Sequence, residues 1–79
     1  MEEELGRIIR GQFEEIWTVT TDDHGRLSVR YERTEVAGPM KIIEHLPPRQ
    51  VYDSDAPRAV KDKLLDRVLF ADTRSTQRV

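Results

Sequence analysis

Two runs of β-branched and aromatic residues, Trp17-Thr18-Val19-Thr20-Thr21 and Leu27-Ser28-Val29-Arg30-Tyr31, flank the tetrapeptide Asp22-Asp23-His24-Gly25. Such runs favour strands, because branched and aromatic side chains pack well on a pleated surface. Asp at the first turn position and Gly at the fourth favour a type I turn followed by a bulge at the glycine. A three-residue loop then sets Thr21 opposite Leu27, Val19 opposite Val29 and Trp17 opposite Tyr31, which gathers the large apolar side chains on one face. Ile16, Thr18, Thr20, Ser28, Arg30 and Glu32 fall on the other. A two-residue turn at His24-Gly25 would set Val19 against Arg30, and such a slip sends the apolar set to the wrong side. The chain is therefore committed to an antiparallel hairpin with two unlike faces.

Around that hairpin, Leu5, Ile8, Ile9, Phe13 and Ile16 recur at the spacing of one helical stripe. With Glu2, Glu3 and Glu4 at the positive end of the helix dipole, this predicts a helix over about residues 2–14. Gly6 and Gly11 weaken it, and Gly11 could end it early. Gly38-Pro39 closes the second strand, and a third is predicted over residues 40–46, with Met40, Ile42 and Leu46 on one side. Pro47-Pro48 stops it, since neither proline donates a ladder hydrogen bond. Residues 47–56 read as a loop pinned to the core by Val51 and Tyr52. Ser54 or Asp55 is the expected N-cap of a helix over about residues 56–70, whose broad apolar face holds Val60, Leu64, Val68, Leu65 and Leu69. The expected architecture is α+β, a small single domain over residues 1–71 in the order α-β-β-β-α. A three-stranded antiparallel sheet carries two helices packed on one face. Residues 72–79 are polar and aperiodic and read as a disordered C-terminal tail.

With 79 residues there is room for a single core. The absence of cysteine excludes a disulfide scaffold, a thiolate nucleophile and a zinc finger. No apolar run is long enough to span a bilayer, and the acidic start Met1-Glu2-Glu3-Glu4 is unlike a secretory signal, so a cytoplasmic location is expected. The net charge of −2 is unevenly spread. Residues 1–40 hold five Arg against nine acidic residues, and residues 41–79 hold eight basic against six acidic.

Motifs for chemistry are weak. Asp22, Asp23 and His24 could suggest a metal or acid–base site, but these residue types at a hairpin tip are what the turn itself selects. Asp53-Ser54-Asp55 has the look of a small Mg²⁺ motif, yet it lies where helix-capping residues belong. No serine or threonine sits in a nucleophile elbow, and no glycine-rich loop could cradle phosphate. The expectation is a protein that is not an enzyme and carries no metal or other cofactor. The order α-β-β-β-α is shared with double-stranded-RNA-binding domains, and Arg58, Lys61 and Lys63 at the start of the last helix invite a phosphate-binding reading, assisted by Arg74 and Arg78. Asp62 and Asp66 interleave with those cations, and Gly38-Pro39 follows the second strand rather than the first, so nucleic-acid binding is kept as the alternative only.

The leading expectation is a small protein-binding module: an adaptor, inhibitor or regulatory subunit, of a size that suits a phage or mobile-element origin. The hairpin register places Ile16 on the polar face, and Ile43 joins it from the third strand. Both sit among Thr18, Thr20, Ser28, Arg30, Lys41 and His45. A small apolar centre ringed by polar groups and an arginine suits a protein contact. The expected contact residues are Ile16, Arg30, Ile43 and His45. The outer strands leave free edges that could pair with another protein or across a homodimer axis.

Overall fold

The computed structural model describes the backbone of residues 2–76 and the side chains of residues 2–70. Four strands form one antiparallel sheet in sequence order: β1 (Glu2–Arg10), β2 (Phe13–Thr21), β3 (Leu27–Glu35) and β4 (Lys41–Leu46). Two helices follow, α1 (Pro48–Tyr52) and α2 (Arg58–Thr76). The α+β class and the packing of both helices on one sheet face hold. The strand number and the helix order do not: the order is β-β-β-β-α-α, so the arrangement shared with double-stranded-RNA-binding domains is gone.

The difference lies in residues 2–14, where a helix was expected and where β1 and the start of β2 stand instead. Arg10 pairs with Phe13 across the two-residue turn Gly11-Gln12, in which Gly11 takes φ 64°. A glycine with positive φ at the first of two loop residues fits a type II′ turn, whose twist matches a hairpin. The helix-like spacing has a second cause. Glu4 pairs with Thr18 and Gly6 with Trp17, so Leu5 is an extra residue bulged out of the ladder. The bulge changes the parity of β1, and Leu5 and Ile8 both reach the core although they are three residues apart. Ile9 and Ile16, which would complete a helical stripe, lie on the opposite face of the sheet.

The hairpin of β2 and β3 has the expected register: Thr21 opposite Leu27, Val19 opposite Val29, Trp17 opposite Tyr31. Asp22 holds its turn through Oδ1, which accepts from the amides of His24 (2.9 Å) and Arg26 (2.8 Å). β4 joins β3 after residues 36–40, with Ile42 opposite Arg33 and Leu46 opposite Val29. Pro47-Pro48 ends this strand as expected, but Pro48 then starts the short helix α1 where a loop was predicted. Proline suits the first helical position, because that amide has no intrahelical acceptor. Val51 is fully buried and Tyr52 packs against the core, so both anchor the chain.

The core is a single cluster of Leu5, Trp17, Val19, Val29, Val51, Ala56, Val60 and Leu64. The Trp17 and Tyr31 rings meet at 5.3 Å between centroids, tilted by 49°. α2 packs on β1 and against α1, while α1 packs on β3. Only part of α2's apolar surface is used: Val60 and Leu64 are buried, but Leu65 and Leu69 are exposed. α2 continues to Thr76 and so takes in residues 72–76 of the expected tail, while residues 77–79 lie outside the described residues. Ser54 or Asp55 is the cap expected for this helix. The Ser54 Oγ instead donates to the Val51 carbonyl (2.7 Å) and accepts from the Ala56 amide (3.2 Å), closing the turn between the helices, and the Asp55 carboxylate pairs with Arg10.

The seat of α2 depends on Gly6, where an added Cβ would come within 2.9 Å of Val60 Cγ2. Replacing Gly6 by Ala is therefore expected to destabilise the fold by about 1–3 kcal/mol, the usual range for overpacking. Val60→Ala removes the clashing methyl group, so the double variant should lose less than the sum of the single losses, as read from urea unfolding. Additive losses would show that this contact does not set the helix position.

Candidate interaction surface

The sheet face away from the helices is built from alternate residues of four strands. One cross-strand row runs Arg7, Ile16, Glu32, Ile43, and the next runs Glu4, Thr18, Arg30, His45. The four expected contact residues thus share one face on three adjacent strands, with Ile16 and Ile43 separated by Glu32. Their states differ. Ile43 is 47% exposed and His45 is exposed, whereas Ile16 and Arg30 are half-buried. Arg30 extends over β2 to place Nη2 3.0 Å from Glu2 Oε1, and Thr18 beneath its path is buried. Its Nε is buried with no hydrogen-bond partner. Arg30 is thus a clamp across three strands.

Ile9 completes this face and is 70% exposed, the most exposed large apolar side chain among the described residues. Sequence reasoning missed it, because a helical stripe accounted for it. Only the Gly11 turn could have moved it to a strand.

β4 differs from the other three strands in that none of its residues is buried. It is apolar on both faces: Ile42 points to the helix side and Ile43 to the outer side, and Met40 just before it is also exposed. The helices lie on β1 and β3, so neither roofs this edge. At the opposite edge β1 is covered by α2, tied down by the Arg67 Nη2–Glu3 Oε2 ion pair at 2.6 Å, and interrupted by its bulge. Roofing and bulging are standard ways to blunt an edge. The Glu3–Arg67 pair and the Lys41–Glu32 pair (3.5 Å) also join the acidic and basic halves of the sequence within one fold.

On the helix side, the half of the sheet beyond the core carries a polar cluster. The Glu15 carboxylate is only 7% exposed, and both its oxygens are engaged. Tyr31 OH donates to Oε1 (2.5 Å), and Arg10 Nε lies 3.1 Å from Oε2. Arg10 also reaches Asp55 Oδ2 at 2.7 Å, tying the turn after α1 to the sheet. Arg33 lies over the Phe13 ring at 3.9 Å, a cation–π contact. Burial first, and then the bond to Glu15, push the Tyr31 hydroxyl up to about 12. Each member of this cluster has an internal partner, so it reads as a strut.

The cations proposed for phosphate do not converge. Arg58 and Lys63 are exposed and Lys61 is half-buried. Two residues advance a helix by about 200°, which sends Lys63 to the flank opposite Lys61. The side chains of Arg74 and Arg78 lie outside the described residues. At the hairpin tip the Asp22 carboxyl is held below its ordinary range, chiefly by the Arg26 amide, so its charge serves the turn. Among the described residues no three His, Asp or Glu side chains gather to hold a metal ion, and no helix is long and apolar enough to cross a membrane.

Comparison with family models, curated proteins and solved structures finds no match to this chain. The surface must therefore be read from its own chemistry.

The polar cluster yields a pH test. A tyrosine shifted upward from 10.0 to about 12 contributes stability that is complete below pH about 10 and lost as pH rises towards 12. Tyr31→Phe is expected to lower stability at neutral pH by about 1.5–3 kcal/mol, because the buried Glu15 carboxylate loses a donor. It should also flatten the loss between pH 10 and 12, measured by denaturant unfolding at each pH.

Proposed function

We propose that this chain is a small protein-binding module, an adaptor, inhibitor or regulatory subunit, that docks through β4 and the adjoining outer face of the sheet. The observation that carries this reading is β4 itself, an edge strand with isoleucines on both faces, unroofed by either helix and flanked by unpaired edge backbone. A partner strand laid along such an edge gains main-chain hydrogen bonds, and alternate side chains supply specificity. On the outer face Ile43 is the anchor, with half-buried Ile16 in the same row and His45 beside it. Arg30, fixed by Glu2, presents a guanidinium of set position, which costs little further ordering on binding. No cofactor takes part in this reading. The phosphate-binding alternative loses ground because Arg58, Lys61 and Lys63 do not form one patch.

Ile43→Glu tests the reading. The substitution puts a charge at the centre of the surface while leaving the core cluster untouched. Affinity capture from the native host should lose the partner that the wild-type chain retains, with at least a tenfold drop in affinity, as for a central anchor. Circular dichroism should not change. Retained binding by a folded Ile43→Glu variant would remove β4 and the outer face from consideration.

A further inference from the structure

We infer that the strand laid along β4 is β4 of a second copy of this chain, related by a two-fold axis perpendicular to the sheet that passes midway between Ile43 and its equivalent in that copy. This rests on the reading of β4 as the binding edge and specifies its occupant. The Glu35 amide donates to the Met40 carbonyl at 3.0 Å, so the Met40 carbonyl faces β3. In an antiparallel ladder, alternate residues face the same neighbour. The backbone groups of Ile42, Glu44 and Leu46 therefore serve β3, and those of Lys41, Ile43 and His45 point away from the sheet.

A two-fold axis perpendicular to the sheet keeps each face continuous, so an outer-face residue can only meet an outer-face residue. That rule removes every register with its axis between two residues and leaves three to weigh. An axis at Glu44 opposes two carboxylates and sets Lys41 against Pro47, which has no amide to give. An axis at Ile42 leaves the outward groups of His45 without a partner on β4. The axis at Ile43 alone uses every outward group of the strand: Ile43 pairs with Ile43 of the second copy, and Lys41 pairs with His45 in both directions. It also covers the exposed Ile43 side chain with its own equivalent, a favourable apolar cross-strand pair. The Lys41–His45 pair brings two basic side chains together, and Glu32, already 3.5 Å from Lys41 Nζ, supplies the counter-charge. The strand's limits agree, since Pro39 and Pro47 bound the segment that can pair. α1 lies on β3, inboard of the junction, so two copies join into one eight-stranded sheet with their helices on the same side.

Sedimentation equilibrium of the full chain over a range of concentrations, with amide hydrogen exchange, tests this. The expected result is a dimer in which the amides of Lys41, Ile43 and His45 are protected and lose protection on dilution. Ile43→Lys, which places like charges on the axis, should weaken association more than tenfold without altering circular dichroism. Because the chain has no cysteine, Ile43→Cys provides an independent reporter. It should give a covalent dimer on mild oxidation, while Ser28→Cys, on the same face but one strand inboard and two rows from the row of Ile43, should not. A monomer at all concentrations, with fast exchange at the three amides, overturns the second copy as occupant. So does a dimer whose β4 amides exchange freely. The underlying reading fails separately, if partner capture is indifferent to Ile43→Glu.

Discussion

The approach of Val60 to the backbone of Gly6 decides how the two layers of this protein fit. A helix can lie this close only where the strand below lacks a Cβ, and Gly6 supplies that gap next to the bulged Leu5. The bulge turns Leu5 inward beside it, so strand and helix close the core from one edge of the sheet. α2 is thereby fixed over β1, and the Glu3–Arg67 pair holds its further course along that strand. With α1 on β3, the two helices are used up before β4 is reached. The open edge follows from where the glycine stands.

The polar groups repeat this division of labour. Glu15, Tyr31, Arg10 and Asp55 form a closed set that ties the sheet to the turn between the helices. A buried carboxylate is tolerable only when its oxygens are satisfied, and here both are. The outer face has Arg30 stretched across β2 to Glu2, which shields Thr18 but leaves Ile9 and Ile43 uncovered. The exposed pairs contribute little to stability individually. Their value is geometric, since they fix which side chains remain exposed on that face.

Much of this was legible in the sequence, and the reasons differ by segment. The β2–β3 hairpin was, because loop chemistry and alternation agreed on a single register. Ile16 and Arg30 were placed on one face by that register, and Ile43 and His45 joined them through the alternation of the next strand. β1 was not legible, because a bulge imitates helical spacing: it lets residues three apart share a strand face. The error spread. A helix at residues 2–14 implied three strands, hid Ile9 on the outer face, and made β2 an edge. That β4 is the unguarded edge could be seen only after β1 was known to be paired and roofed.

An unguarded edge in so small a sheet calls for a physical explanation, because free strand edges invite association. β1 shows that this chain can blunt an edge with a bulge, a helix and an ion pair. β4 has neither bulge nor roofing helix, and its Lys41–Glu32 pair only joins it to β3, although Lys41 and the flanking prolines keep it short. The asymmetry matters because the same six residues place isoleucine on both faces, where an edge kept only for solvent would gain from polar residues. A further strand that continues the sheet flanks the isoleucines of both faces with cross-strand neighbours. β4 thus sets Ile42 and Ile43 on the two faces of an outer strand beside Lys41, Glu44 and His45, and the proposed pairing along this edge gives each isoleucine a cross-strand neighbour.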